Sequence, residues 1–597
     1  MAETVFDRLK TDWRFYTLLL RASALNFTRD PEAAFTITDY MAPGFATDPT
    51  TPAVIFEGKT TTFGDFDALA NRYGRWAREQ GLSEGGCVAL MMENCPAFLA
   101  AVLGFARAGL RTALINTNLS GDALAHSLSA VEAGIFVAGE SRAEVALEFL
   151  RTHAPSIPVF VEGPSAPGAE PLEASLNAAS DAPIPADWRQ AGRPNDRVLH
   201  IYTSGTTGLP KAANLTHYRV AQAMHFFTMV TGIKPGGRHY TVLPLYHGNG
   251  LYASLTSLQQ GASVVLRRKF SASAFWRDCV ENEVTAFVYI GELMRYLVNA
   301  PETADDRRHK VASCGGNGLR PDVWPAFVER FGIEDIVEFY GATEGNVAIV
   351  NLDNTPGAVG RVPPIVRRRL GFEIVRFDDA TQAPARNAQG RCTRCDVGEI
   401  GEAISRIDTT SKARYRYEGY TDGQATNKKV LRDVFEVGDM YFRTGDLMRR
   451  EKRDYIYFVD RIGDTFRWKG ENVATTEVQE ALSRFQGVVE AIVYGVAVPG
   501  ADGRAGMAAL VTDESFDIAG LGAHVCGHLP AYARPLFVRL VGQATTTGTF
   551  KYRKSDLQAQ GFDPLNVDGG VYFLTQSGYD LMDSATHAGL LAGTVRL

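Results

Sequence analysis

The chain has 597 residues, with 61 Lys+Arg against 68 Asp+Glu, 45% hydrophobic and 22% charged residues, 58 Gly and 27 Pro. These are the proportions of an ordinary globular protein and exclude collagen-like, coiled-coil and disordered chains. A net charge of −7 provides no polybasic field for nucleic acid. The length calls for about four structural units rather than one core. Seven cysteines scattered over it make no disulfide framework and suit a reducing, cytosolic compartment.

Near the N-terminus Glu3, Asp7 and Asp12 interrupt any apolar run, so no secretory signal is expected. Val5, Phe6, Leu9, Trp13, Tyr16 and Leu20 share one face at helical spacing, with Lys10, Arg14 and Arg21 on another. Two readings of residues 5–21 stay open: a helix docked on the body through that stripe, and a helix lying on a membrane surface. Phe15 and Leu18 fall off the stripe. Next, Thr62 opens a helix whose Phe66, Leu69, Tyr73 and Trp76 share a face and which Gly81 ends. The apolar run 87–92 reads as a buried strand and 96–103 as a helix, a succession that predicts an α/β layer with a parallel sheet. The hydrophobic stretch 95–106 stops at Arg107, short of the ~18 apolar residues of a spanning helix.

Residues 162–193 are rich in Pro, Ala, Gly and Ser and read as surface loop and a weak boundary. A strand is expected over 198–202, and α/β alternation continues to about residue 350. From 351 to 460 short strands alternate with Gly, Pro and Asp turns, which suggests an antiparallel barrel or sandwich. Beyond it lie a helix over 476–485, a strand over 490–498 and a Gly-rich helix before Pro530. Cys392-Thr-Arg-Cys395 is a single C-x-x-C with no second ligand pair, read as a surface turn rather than a zinc site. Arg367–Arg369 and the basic run 449–453 read as solvated faces.

The most informative segment is Tyr202-Thr-Ser-Gly-Thr-Thr-Gly-Leu-Pro-Lys211. Its glycines let backbone N–H groups close round phosphate oxygens, Thr203, Ser204, Thr206 and Thr207 add hydroxyl donors, and Lys211 adds positive charge. Pro210 precedes the lysine where a Walker A loop requires glycine, so the loop is of another kind. It resembles the signature of the adenylate-forming superfamily: acyl-CoA synthetases, peptide-synthetase adenylation domains and luciferases. Pro244-Leu-Tyr-His-Gly-Asn-Gly, Gly315-Gly-Asn-Gly-Leu-Arg, Tyr340-Gly-Ala-Thr-Glu-Gly-Asn, Tyr441-Phe-Arg-Thr-Gly-Asp-Leu and Asp460-Arg-Ile-Gly-Asp-Thr-Phe extend the resemblance in the superfamily's order. Phe287-Val-Tyr-Ile-Gly-Glu-Leu, Phe466-Arg-Trp-Lys-Gly-Glu-Asn and Thr547-Gly-Thr-Phe-Lys-Tyr-Arg-Lys are similar to the fatty acid transport protein, or very-long-chain acyl-CoA synthetase, branch.

The resemblance implies two half-reactions: a carboxylate attacks the α-phosphate of ATP, giving acyl-adenylate and pyrophosphate, and the CoA thiol then displaces AMP. It implies that Thr203, Ser204, Gly205, Thr206, Thr207, Gly208 and Lys211 hold the phosphates, that Glu344 holds Mg²⁺, and that Thr343 donates to the α-phosphate. Gly315, Gly316 and Asn317 would wall the purine, Tyr340 would stack on it, and Asp446 with Arg461 would take the ribose. Lys551, preferred to Lys554, is the implied catalytic lysine. Gly463 is the implied hinge, where many relatives carry Asp or Lys. Tyr246, His247, Tyr289 and Gly291 fall at the acyl pocket and its gate, and Gly470 at the CoA tunnel. The expected fold is α/β: an N-terminal AMP-binding domain over 1–461, made of α/β subdomains at about 50–200 and 201–350 and a β-barrel over 351–461, followed by a small mobile α/β domain over 462–597. The expected activity is ATP-, Mg²⁺- and CoA-dependent activation of long or very long fatty acids in the cytoplasm, with peripheral membrane contact through residues 5–21 one of the two readings left open above. The alternatives are ligation of a bile-acid-like or carnitine-like carboxylate, transfer to a carrier protein, and fatty-acid uptake by trapping at a membrane.

Overall fold

The computed structural model describes residues 12–13, 15–17, 30, 32–153, 157–162, 169–189, 192–204, 209–378, 381–408, 416–469, 471–499, 501, 503–542, 554–567 and 569–595. Contacts gather the chain into two compact units, residues 1–372 with 405–442, and residues 373–404 with 443–597.

The first unit holds two mostly parallel sheets. In one, strands Cys87–Met91, Arg111–Leu114, Ile135–Ala138, Val159–Val161 and Arg197–Ser204 run parallel, and Pro210–Thr216 closes the edge antiparallel to the last of them. Cys87–Met91 is buried along its whole length, as a central strand covered on both faces must be. The helix before it, Phe63–Glu79, starts where Thr62 accepts the Asp65 N–H, and it buries Phe66, Tyr73 and Trp76. Helix Pro96–Arg107 buries nine consecutive residues from Phe98 to Ala106. The two helices cross closely because glycines face each other: a β-carbon on Gly74 would lie 2.4 Å from the Gly104 carbonyl oxygen, and one on Gly104 2.0 Å from that of Ala70.

The second sheet orders its strands 348–351, 335–341, 313–317, 286–290, 238–241, 263–266, 52–56 and 59–62. Its inner pairs are parallel and its two edge pairs antiparallel. The 162–193 stretch is not all loop: it forms helix Leu172–Ala178, with Leu172 and Leu176 buried, and lies within the first unit.

In the second unit, strands Tyr455–Arg461, Met440–Arg450 (from Arg443 onward), Ile400–Ile407 (to Ile404), Phe372–Asp378 (from Glu373) and Ala383–Pro384 lie side by side in that order. No pair closing them into a barrel is seen among the described residues. Cys392 and Cys395 are both buried, 5% and 9% exposed. The expected surface turn is therefore replaced by two packed side chains. A separate five-stranded sheet, Val488–Ala497, Arg504–Thr512, Phe537–Leu540, Val571–Thr575 and Gly578–Leu581, packs Tyr494, Met507, Leu510 and Phe537 with Leu521 and Val525 of helix Ile518–His528. Among the described residues no helix is long and apolar enough to cross a membrane.

Of the N-terminal stripe, the described residues show Trp13 77% and Tyr16 38% exposed. The off-stripe Phe15 is buried instead, under the Arg361 guanidinium 5.2 Å from its ring centre, while Arg361 also pairs with Asp12. This turn is thus docked on the body by the residue the periodicity leaves out, and the stripe residues Trp13 and Tyr16 face outward. Residues 5–11, 14 and 18–21 lie outside the described residues.

Candidate active site

Strand Arg197–Ser204 carries Thr203 to its end, and across the antiparallel pair Thr203 faces Lys211. Both are half-buried. The backbone of Ser204 is described; Gly205, Thr206, Thr207 and Gly208 lie outside the described residues. The strand thus delivers the chain to that segment with the half-buried Lys211 across the pair from Thr203.

Strand Asp335–Gly341 ends in Tyr340 and turns through Thr343, Glu344 and Gly345 before the chain returns as Ala348–Asn351. Three contacts that the motif does not reveal fix this turn. Arg219, on helix His217–Thr231, donates to the Gly345 carbonyl oxygen. The Asn346 amide donates to the Arg406 carbonyl oxygen at 2.7 Å. Phe442 lies 2.5 Å from where a Gly345 β-carbon would stand, so only glycine fits there. Glu344 itself is half-buried and accepts a 2.8 Å hydrogen bond from the Tyr420 hydroxyl. Burial and the Glu344 carboxylate both push the Tyr420 phenol up, so it keeps its proton and acts as donor. A single half-buried carboxylate of this kind suits Mg²⁺, which takes one or two carboxylates and completes its shell with phosphate and water oxygens.

Strand Ser313–Asn317 brings Gly315, Gly316 and Asn317 alongside. Packing demands the two glycines: β-carbons there would stand 2.1 Å from the Val230 and 2.2 Å from the Tyr289 carbonyl oxygens. Asn317 is held by the Asn249 amide at 2.7 Å. Behind this wall lies Glu338, a residue without a motif signature. It is 1% exposed and accepts from the Tyr289 hydroxyl at 2.7 Å and from the backbone N–H groups of Gly318 and Leu319. Burial raises its carboxyl to about 8, against the three hydrogen bonds that favour the anion. Tyr289 is fully buried in this network, and a Gly291 β-carbon would stand 1.7 Å from the Gly318 carbonyl oxygen. Tyr246 is buried with its ring centre 4.6 Å from that of His247, which caps helix Gly248–Gln259.

In the second unit Asp446 and Arg461 are opposite each other on paired strands, Arg461 Nε 3.6 Å from Asp446 Oδ1. Arg443 makes a bidentate pair with the fully buried Glu402, closest approach 2.6 Å, and so anchors the strand two residues before Gly445. The buried Asp460 accepts from the Thr475 N–H at 2.6 Å and from its hydroxyl at 3.0 Å. Burial raises its carboxyl. Lys554 is engaged, 3.2 Å from Asp464 and 3.0 Å from the Thr475 hydroxyl. Gly463 adopts φ +97°, with nothing within 4 Å of where a β-carbon would stand. Lys551 and Gly470 lie outside the described residues.

Comparison with known proteins gives the family and the fold. Residues 44–391 match the AMP-binding enzyme family and residues 477–551 the AMP-binding enzyme C-terminal domain. Long-chain fatty acid transport protein 2 of Rattus norvegicus is 39% identical over 92% of this chain and 89% of its own. The medium/long-chain-fatty-acid–CoA ligase FadD6 of Mycobacterium tuberculosis is 40% identical over 86% and 85%. Among solved structures, the anthranilate CoA ligase AuaEII aligns with a TM-score of 0.74 at 20% identity, covering 90% of this chain and 98% of that one. MatB from Rhodopseudomonas palustris, bound to ATP, aligns at 0.72 and 23%, covering 88% and 99%. The chain has the adenylate-forming fold and belongs to the AMP-binding enzyme family, in the branch of the long-chain fatty acid transport proteins and fatty-acid–CoA ligases.

Proposed function

We propose that the protein is an ATP- and Mg²⁺-dependent acyl-CoA synthetase for long or very long fatty acids. The observation that carries the reading is the Thr343–Glu344 turn, clamped by Arg219, Phe442 and Tyr420 in the unit that holds Thr203 and Lys211. That rigidity is what electrostatic catalysis requires: donors and charge set in place before charge develops in the transition state. Mg²⁺, when bound, neutralises phosphate charge. Glu344 orients that cation, and Thr203 and Lys211 hold phosphate oxygens together with Ser204, Gly205, Thr206, Thr207 and Gly208. Thr343 donates to the α-phosphate as the fatty carboxylate attacks it. Gly315, Gly316, Asn317 and Tyr340 receive the adenine, and Asp446 with Arg461 the ribose hydroxyls. Lys551 offsets the charge shared by carboxylate and α-phosphate; the engagement of Lys554 by Asp464 and Thr475 supports this choice. Residues after Gly463 then reorient so that the loop of Gly470 meets the CoA thiol. Tyr246, His247, Tyr289 and Gly291 border the acyl path.

The chain-length assignment draws on the relatives: one is named a medium/long-chain-fatty-acid–CoA ligase and others long-chain fatty acid transport proteins. The test is pyrophosphate release across a panel of carboxylic acids, with and without CoA. Turnover with C16 and longer fatty acids, completed by CoA, is the expected result. Turnover with no fatty acid of any length contradicts it, and acyl-AMP that accumulates whether or not CoA is present favours transfer to a carrier protein. A peripheral membrane role rests on the outward Trp13 and Tyr16. Flotation with anionic liposomes, lost on deletion of residues 1–30, is expected; unchanged flotation contradicts it.

A further inference from the structure

A short stretch of chain outside every site motif reaches the heart of the proposed site. Residues 416–421 lie along the free edge of strand Pro210–Thr216. The Asn214 N–H donates to the Gly419 carbonyl and the Thr421 N–H to that of Ala212, both at 2.9 Å, and Ala213 and Tyr420 form an antiparallel bridge. Ala213 is thus paired with Ile201 on one side and with Tyr420 on the other. The backbone N–H of Tyr420 is taken by the Thr426 hydroxyl at 2.9 Å. Tyr420 is 8% exposed, and its direction is set by a sheet ladder rather than by loop packing. Its phenol oxygen donates to Glu344 at 2.8 Å.

We propose that Tyr420 is a positioning residue of the adenylation step: it ties the cation-holding carboxylate of Glu344 to the edge of the sheet that carries Thr203 and Lys211, so that metal and phosphates are registered by one side chain. The inference rests on the proposed function of this site. A free carboxylate on a turn samples several rotamers, and a charge-assisted hydrogen bond from a donor held by a sheet restricts it to one. Tyr417, three residues earlier, supplies the control. Its ring packs 5.0 Å from Phe442 and its phenol feels the Glu344 charge, but its buried hydroxyl has no hydrogen-bond partner among the described residues.

The experiment titrates Mg²⁺ in the pyrophosphate-release assay on the full chain at saturating ATP and fatty acid. In Tyr420→Phe the Mg²⁺ needed for half-maximal rate rises about tenfold, as expected for loss of a hydrogen bond to a charged group, while the fatty-acid KM and the circular dichroism spectrum hold. Tyr417→Phe leaves the Mg²⁺ dependence unchanged. In a Glu344→Gln background, Tyr420→Phe adds no further shift, because its partner charge is already gone. A wild-type Mg²⁺ dependence in Tyr420→Phe, or an equal further shift in the Glu344→Gln background, overturns the proposal. If Tyr420→Phe fails to fold, Thr426→Ala loosens the same residue through its backbone and gives a smaller shift in the same direction; no shift there overturns the proposal. Wild-type protein that releases no pyrophosphate overturns the parent reading instead, so the two failures are distinct.

Discussion

At the scale of single residues, buried carboxylates anchor the backbone near the candidate residues of each unit. Glu338 keeps Gly318 and Leu319 in place beside strand Ser313–Asn317, Glu402 anchors Arg443, and Asp460 fixes Thr475. Glu338 carries a measurable signature. Its folded-state carboxyl is raised to about 8 from an ordinary 4.5, so the folded state keeps a proton that the unfolded chain has lost between those values. Its stability contribution is therefore fully present below pH 4.5 and is lost as the pH rises through 8. Replacing it by Gln, which stays neutral and keeps an acceptor, removes that slope. The difference in melting temperature between Glu338→Gln and wild type should grow in favour of the variant from pH 5 to pH 8. A pH-independent difference would show that the carboxylate is not protonated on folding. The anchoring roles of these acids are not legible in the sequence, because the partners named lie 15 to 49 positions away and nothing local distinguishes a buried Glu from a solvated one. Thr203, Lys211, Glu344 and Asp446 stand out in the sequence as candidates because they lie in short ordered strings.

At the scale of elements, periodicity served wherever one face of a helix or a whole strand is buried. Helix Phe63–Glu79 and strand Cys87–Met91 stand where the 3.6-residue repeat and the unbroken apolar run put them. The misses share a physical reason: tertiary contact overrode local composition. Helix Leu172–Ala178 sits in a Pro-, Ala- and Gly-rich stretch and is secured by two leucines. Phe15 is buried through Arg361 and not through its helix stripe. The crossing of Phe63–Glu79 on Pro96–Arg107 depends on Gly74 and Gly104, where carbonyl oxygens approach to 2.4 and 2.0 Å of a would-be β-carbon. Gly104→Val must force the helices apart, and overpacking of this kind costs about 1–3 kcal/mol or more. Urea unfolding should show a lower midpoint, whereas Gly527→Ala, on a helix with nothing within 4 Å of the new carbon, should match wild type or gain. Equal midpoints for the two would refute the close crossing.

At the scale of the whole molecule, the proposed cycle needs one chain to serve two half-reactions, and Gly463 is the residue proposed to turn between them. Its φ of +97° lies where L side chains are strained, yet the space around it is open, so a substitution there acts on backbone freedom and not on packing. Gly463→Val should leave pyrophosphate release in the first turnover within about twofold and slow thioester formation from supplied acyl-AMP by about tenfold, a strain cost of roughly 1–2 kcal/mol at the turning point. Equal loss of both steps would remove the hinge from the account. Lys551→Ala should do the reverse, abolishing adenylation and sparing thioester formation from acyl-AMP; loss of both would argue against its role.

The central claim, that the carboxylate is activated by attack on the α-phosphorus, has one direct test. A fatty acid labelled with ¹⁸O in its carboxylate is turned over with ATP and CoA, and the products are read by mass spectrometry. One ¹⁸O is expected in AMP and none in pyrophosphate, because the carboxylate oxygen that attacks phosphorus stays with AMP when the thiol displaces it. Unlabelled AMP, or label in inorganic phosphate beside ADP, would contradict it.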